Sequence, residues 1–503
     1  MTAADIATSI AASIATSKTA ETSLPSGTPA SQGVDSRRIG QFLDAFEAAP
    51  GVDPHSLMIL RHGHVVAEGW WAPYTRDHRQ LLYSLSKSFT STAAAFACAE
   101  GLLRLDDPVI SYFPEFEAEI TDPRTRSILV RHLLSMASGH SEEQWGEAVT
   151  RDPHEPVRGF LLGGPDQEPG TVFAYNQPCT HTVGAIIQRA ADERLLDYLR
   201  PRLFDPLGIG DLAWRQRPAG RDLGHSGLHA TTDAVAKLGQ LYLQRGVWNG
   251  VRLLSEEWVE QATRQQIDNS GSGENADWEQ GYGFQFWMSR HGYRGDGAYG
   301  QYCVVLPEQD AVIAITSETI DMQAVLDLVW QHLLPSFDGE PDADADVELA
   351  ERLSQLALPP CTGSAAENAG TDAFVCTADK GPIAELRAEQ CPDDSGDWLL
   401  TLTERAIEEP ISIEYGSFPR GPFTLRLTPG GDWRTSGPDE LPTAVSGGWT
   451  DPDTLRFDVL FLETPHRMYV TCDLAEGTVE AHFVSEWLGN GPVTRLRAPL
   501  ERP

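Results

Sequence analysis

Ser84 and Lys87 stand three residues apart in YSLSKSFTS, at the head of an alanine-rich run that ends at Gly101. A serine hydroxyl is inert at neutral pH and becomes a nucleophile when a neighbour takes its proton. Lysine can take that proton when burial disfavours its ammonium form. The run from Thr92 to Ala99, followed by Glu100-Gly101, reads as one helix stopped by its glycine, which puts Ser84 in the first turn. Positions i and i+3 share a helix face, so Ser84 and Lys87 point the same way. A helix N-terminus beneath Ser84 would place partial positive charge where an oxyanion develops. The bland reading of the same residues is an N-cap serine and a surface lysine, and Ser-x-x-Lys is short enough to arise by chance. Expulsion of a leaving group needs a second proton carrier, and a tyrosine beside the lysine suits that role.

The elements that would position this pair read as mixed helix and strand. GVDSRRIGQFLDAFEAA, from Gly33 to Ala49, has the spacing of an amphipathic helix, and SLMILRHGHVVAEGWW reads as a hairpin turning at His62-Gly63-His64. His-x-His can open a zinc site, but no downstream Asp, His or Cys cluster completes a ligand set, so the turn reading is preferred. GLLRLDDPVISYFPEF reads as a loop, and VRHLLSMASGH as a short helix ending at Gly139. TVFAYNQPCTHTVGAIIQRAA passes from an extended start into a helix from near Thr180, and another helix is expected from about Thr232 to Gly246. Between Gly281 and Thr316 the pattern predicts three adjacent strands with turns near Gly292 and Glu308-Gln309, before the helix MQAVLDLVWQHLLP. An antiparallel sheet built from the hairpin and the late strands, with helices around it, is an α+β arrangement.

The chain has 503 residues, enough for two domains. Residues 1–28 are small, polar and aromatic-free and read as a disordered tail without a secretory signal. Residues 29–337 form the expected catalytic domain, 338–358 an acidic linker, and 359–503 an all-β barrel or sandwich made of runs such as DWLLTLTE, ISIEYG and TLRFDVLFLE. Lys and Arg number 38 against 73 Asp and Glu, a formal charge of -35, which opposes nucleic-acid and membrane-surface partners. No stretch approaches the roughly 18 apolar residues that span a bilayer. Seven cysteines without a Cys-x-x-Cys pair argue against a zinc ribbon and a full disulfide framework, although Cys361, Cys376 and Cys391 cluster. A reduced, cytoplasmic protein is expected.

The order of YSLSKSFTS, GLLRLDDPVISYFPEF, RHLLSMASG, PGTVFAY, HSGLHATTDAVAKLGQLYLQRGVWNG and YGQYCVVLPEQDAVIAIT resembles the serine hydrolases related to class C β-lactamases, low-molecular-weight penicillin-binding proteins, family VIII esterases and 6-aminohexanoate-dimer hydrolases. The resemblance spans roughly Pro29 to Pro335 and implies the β-lactamase/transpeptidase-like fold, an antiparallel sheet flanked by helices. It implies Ser84 as acylated nucleophile, Lys87 as proton acceptor and Tyr175 as proton shuttle to the leaving group; the bland reading of Tyr175 is a core tyrosine. Where the family shows Tyr-x-Asn, this chain reads Tyr175-Asn176-Gln177, and the longer Gln177 amide moves the donor offered to a substrate carbonyl.

The family's third motif, Lys-Thr-Gly or His-x-Gly, is replaced by HGYRGDGAYGQ. Gly295-Asp296-Gly297 occupies the triplet, with Ala298 beside it as an oxyanion N–H, or His291 supplies the polar side chain, or the segment is an Asp-Gly turn. A carboxylate there disfavours anionic substrates such as a penicillin. His225 and His229 are read as bordering a helix N-terminus, and Trp145 as pocket lining or packing. No metal or cofactor is implied. The expected activity is hydrolysis of a small ester, amide or peptide; acyl transfer or peptide cyclisation, a D-amino-acid-type peptidase, and an inactive binding protein on the same scaffold are the alternatives. A metallohydrolase is the weakest.

Overall fold

Successive side chains of β1 (Asp53–Arg61) point to opposite faces, and its interior is buried on both. Met58 and Leu60 join an apolar cluster with Leu82, Phe89 and Val305, whereas Leu57 and Ile59 join a second with Phe42, Val304 and Ile313. A strand covered on both sides has no polar face to present, which is why SLMIL is an unbroken apolar run. The computed structural model that shows this describes residues 23–485 and 493–499, except 272, 274, 366–371, 394, 406–421 and 438–439.

The expected hairpin forms: β1 pairs with β2 (His64–Trp70) across His62 and Gly63, whose φ angles of 51° and 76° are the left-handed pair that a tight hairpin requires. Further along lie β3 (Gln80–Leu81), β4 (Ala213–Trp214), β5 (Leu228–Ala230), β6 (Val247–Trp248) and β7 (Val251–Arg252). Four strands follow where three are predicted: β8 (Trp287–Met288), β9 (Tyr293–Gly297), β10 (Gln301–Leu306) and β11 (Ala311–Glu318). The additional break is the turn at Ala298 to Gly300, made by Tyr299 and Gly300 at φ 69° and 86°. The main sheet is antiparallel with order β2-β1-β11-β10-β9-β8, and β3, β5 and β4 form a small second sheet.

Helix Ser36–Ala48, capped by Asp35, covers one face of the main sheet. On the other face stand helices Ser86–Glu100, Gln177–Ala191 and Thr232–Leu243. Several boundaries differ from the sequence reading, among them the end of the helix from Thr232, which falls at Leu243. The RHLLSMASG helix runs Val130–Leu134 and stops before Gly139, and the helix expected from Thr180 begins at Gln177, because Pro178 is admitted in its first turn.

Most of the expected tail lies outside the described residues, but Ser26 bridges to Val65 along β2. The acidic segment 338–358 carries the helix Ala343–Ser354, which packs Leu349 into the second apolar cluster beside Leu356 and Leu358.

The C-terminal region is one curled sheet. Its strands are β12 (Ala373–Thr377), β13 (Ile383–Gln390), β14 (Trp398–Glu404), β15 (Phe423–Leu427), β16 (Arg434–Thr435), β17 (Thr443–Asp451), β18 (Thr454–Phe461), β19 (Arg467–Asp473) and β20 (Thr478–Phe483). They run in the order β15-β14-β13-β12-β20-β19-β18-β17-β16, and β15 returns against β17, nearly closing a barrel around Trp398, Trp449 and Phe457. ISIEYG lies outside the described residues. The seven cysteines, Cys361, Cys376 and Cys391 included, are free. Among the described residues no helix is long and apolar enough to cross a membrane.

Candidate active site

Ser84 sits in a tight turn, Tyr83–Leu85, that leads into helix Ser86–Glu100. The serine thus precedes the helix rather than occupying its first turn. Tyr83 takes a left-handed φ of 47°, which bends the chain so that the turn and helix run on without an N-cap side chain. Three contacts hold the turn: the Leu82 N–H donates to the Leu228 carbonyl at 2.8 Å, the Ser86 hydroxyl donates to the Tyr83 carbonyl at 2.6 Å, and the Leu228 N–H donates to Ser86 Oγ at 3.1 Å. Within the helix Thr90 and Ser91 donate to the carbonyls of Gly224 and Phe284. The Ala, Ser and Thr run is therefore a buried helix that meets its neighbours at close range.

Lys87 lies on that helix and is 1% exposed. Its Nζ donates to Ser84 Oγ at 2.9 Å, to Gln177 Oε1 at 2.7 Å and to the His225 carbonyl at 2.9 Å. Burial drives its pKa down to about 7, against the opposing pull of the Asp296 and Glu143 carboxylates. Tyr175 stacks on Trp287 with centroids 5.1 Å apart and presents its ring 4.8 Å from Lys87 Nζ. Burial pushes the Tyr175 phenol well above its ordinary range, and contact with Ser84 pulls it partly back.

Gln177 opens its helix, so its side chain leaves the N-terminal turn toward Lys87. The loop at Glu143 is fastened to the same turn. Glu143 Oε1 accepts the N–H groups of Trp145 at 2.9 Å and Gln177 at 3.2 Å, a carboxylate at a helix N-terminus. Asn176 Oδ1 accepts the Gln144 N–H at 2.9 Å.

The replaced triplet divides. Gly295 and Gly297 face the helix Ser86–Glu100 and the turn that carries Ser84: a Cβ on Gly295 would stand 2.5 Å from Ser88 Oγ, and one on Gly297 2.0 Å from the Leu82 carbonyl oxygen. Only glycine lets β9 lie this close to the turn that carries Ser84. Asp296 is buried in an ion pair with Arg294, Nε to Oδ2 at 2.9 Å, and burial raises its pKa while Arg294 and Lys87 hold it down. Ala298 opens the turn between β9 and β10. His291 lies at the opposite end of β9, in an exposed turn against Trp330 at 5.1 Å, and is not among the side chains gathered at Lys87.

Ser84, Lys87, Tyr175 and Gln177 are thus brought together, with Gly295, Asp296 and Gly297 behind them. Sequence reasoning missed Glu143, Arg294 and Trp287. It also read His225 as bordering a helix, whereas its carbonyl meets Lys87 and its ring packs on Trp145 at 4.3 Å. His229 is on β5. His62 and His64 share the hairpin turn, where His64 Nδ1 meets the His62 carbonyl, and among the described residues no three His, Cys, Asp or Glu are grouped to hold a metal.

The chain is 26% identical over 288 residues to the 6-aminohexanoate-dimer hydrolase of Paenarthrobacter ureafaciens, covering 53% of this chain and 73% of that enzyme. It is 28% identical over 161 residues to the lovastatin esterase of Penicillium rubens, covering 28% of this chain and 40% of the esterase. The solved structure of the octameric penicillin-binding protein homologue from Pyrococcus abyssi aligns with 89% of this chain and 98% of its own, at 17% identity and a TM-score of 0.46. The family model described as Beta-lactamase matches residues 39–325, more than half of the 503-residue chain, and the chain belongs to that family.

Proposed function

We propose that the protein is a serine hydrolase that cleaves a carboxylic ester or amide through an acyl-enzyme on Ser84. The observation that carries this reading is the set of three contacts at Lys87 Nζ. Two of its acceptors, Gln177 Oε1 and the His225 carbonyl, cannot donate. A neutral lysine amine has two N–H groups and one lone pair, so with both N–H groups engaged the lone pair is left for the Ser84 hydroxyl proton. The lysine pKa of about 7 makes that neutral form accessible near neutral pH.

In the proposed reaction Ser84 Oγ attacks the substrate carbonyl while its proton passes to Lys87. The tetrahedral oxyanion is met by the N–H groups of Ser84 and Ala298. Tyr175, kept as a phenol by its burial, protonates the departing alcohol or amine and recovers a proton from Lys87. The net transfer is one proton from Ser84 to the leaving group. Water then attacks the acyl-enzyme by the same route in reverse. The opposite pKa shifts of Lys87 and Tyr175 support the division into base and acid. The carboxylates of Asp296 and Glu143 favour neutral ester or amide substrates over anionic ones.

Intact-protein mass spectrometry after exposure to a fluorophosphonate and, separately, a penicillin tests the reading, with Ser84→Ala as control. The expected result is one fluorophosphonate adduct, absent from the variant, with weak or no penicillin labelling. Folded wild-type protein that takes up neither reagent overturns it.

A further inference from the structure

The loop between β18 and β19 crosses from the C-terminal sheet to the segment just ahead of Ser84. The Leu81 N–H donates to the Glu463 carbonyl at 3.0 Å, Gln80 Nε2 to the Leu462 carbonyl at 2.7 Å, and Arg79 Nη2 pairs with Glu463 Oε1 at 2.7 Å. His466 ends this loop and is fully buried. Its Nδ1 lies 3.2 Å from Glu318 Oε1, and the other oxygen of Glu318 accepts the Arg467 N–H at 3.1 Å. With Nδ1–H donating to that carboxylate, Nε2 is left as an acceptor, and the group it meets is the Tyr83 hydroxyl. The imidazole also stands edge-on to Tyr299 at 4.7 Å, and the Tyr83 and Tyr299 rings are 5.1 Å apart. Tyr299 is tied to the C-terminal region a second time, its hydroxyl 2.8 Å from Ser485 Oγ.

Both tyrosines hold left-handed backbones, φ 47° at Tyr83 and 69° at Tyr299, which residues other than glycine keep only when their surroundings fix them. Tyr83 immediately precedes Ser84, and its peptide unit carries the Ser84 N–H. Tyr299 immediately follows Ala298 and shapes the turn that holds the Ala298 N–H. One imidazole therefore touches the neighbours of both N–H groups assigned to the oxyanion.

We propose that His466, supplied by the C-terminal sheet, is a positioning residue that aligns the two oxyanion N–H donors by clamping Tyr83 and Tyr299. The inference rests on the Ser84 acyl-enzyme reading and gives the C-terminal sheet a part in the reaction: without its loop, the chain before Ser84 loses the group that locks its left-handed turn. Because the clamp acts on the transition state through Tyr83 and Tyr299, its loss lowers kcat and spares KM.

The test uses the 503-residue chain with a p-nitrophenyl ester, comparing wild type, Tyr83→Phe, His466→Ala and His466→Gln, with fold checked by circular dichroism. Tyr83→Phe keeps the ring and removes only the hydroxyl that meets His466, so it decides the question if His466→Ala does not fold. Expected are kcat losses of about tenfold or more in Tyr83→Phe and His466→Ala, KM within about twofold, and partial recovery in His466→Gln, whose amide can still bond the Tyr83 hydroxyl. Folded Tyr83→Phe with wild-type kcat overturns the proposal, as does a loss confined to KM. A wild-type protein that is never acylated at Ser84 is a separate outcome, read before any variant, and removes the hydrolase reading along with the clamp.

Discussion

Gln177 Oε1 accepts a hydrogen bond from Lys87 Nζ at 2.7 Å, joining two motifs 90 residues apart. The side chain that the resemblance expects to face substrate therefore also holds one N–H of the proposed base. Gln177→Glu would place a carboxylate against the ammonium and stabilise it. An opposite charge at this range raises a lysine pKa by roughly one to three units. A one-unit rise from about 7 cuts the neutral fraction at pH 7 about fivefold. The variant should lose that much kcat/KM at pH 7 and regain it by pH 9. Equal profiles for variant and wild type would show that Lys87 ionisation does not control the rate.

The wild-type profile has a defined sign. Lys87 must be neutral to accept the Ser84 proton, so kcat/KM should fall tenfold per pH unit below about 7 and level off above it. No basic limb is expected up to pH 10, because burial holds the Tyr175 phenol above its ordinary value. Rates measured from pH 5 to 10 against a neutral ester check this, and a flat line from pH 5 upward contradicts it.

Asp296→Asn should move the same limb the other way. The Asp296 carboxylate raises the Lys87 pKa, so its loss lowers it and extends activity to more acidic pH. The exchange also leaves Arg294 without its buried counter-charge. Breaking such a pair from one side costs about 3–5 kcal/mol, measurable by urea unfolding. Asp296→Leu combined with Arg294→Met should recover part of that loss, because no charge is then left unpaired. If the single variant matches wild-type stability, the pair is not holding β9.

Ser84, Lys87, Tyr175 and Gln177 are legible in the sequence because each belongs to a short run whose local order survives folding. His225 reaches Lys87 through a main-chain carbonyl, which every residue type offers, so no side-chain pattern marks it. Glu143 is joined to Gln177 across 34 residues and His466 to Tyr83 across 383. Contacts of that span depend on how the sheets meet, not on spacing. The extra strand break is hidden because Tyr299 takes a left-handed φ that its residue type does not announce. His291 looks chemical in HGYRGDG, yet strand polarity carries it to the far end of β9. The alternation that assigns core faces fails on β1 for a related reason: both of its faces are buried.

Gly297 offers the most direct test of how closely β9 must approach the turn that carries Ser84. An added methyl would meet the Leu82 carbonyl oxygen at 2.0 Å and the Leu85 nitrogen at 3.1 Å, and both are backbone atoms that cannot rotate aside. Gly297→Ala must therefore push β9 from the turn, separating Ala298 from Ser84, at a cost of roughly 1–3 kcal/mol. Turnover should fall at least tenfold even where the protein remains folded, since displacement of an oxyanion donor alone has that effect. Gly40→Ala is the control. That glycine sits inside helix Ser36–Ala48 with nothing within 4 Å of the new methyl, and alanine there should stabilise by about 0.5–1 kcal/mol. Thermal unfolding and ester turnover measured on both variants separate the close-approach account from a general intolerance of alanine. Wild-type turnover in Gly297→Ala would mean that β9 can retreat without disturbing the site.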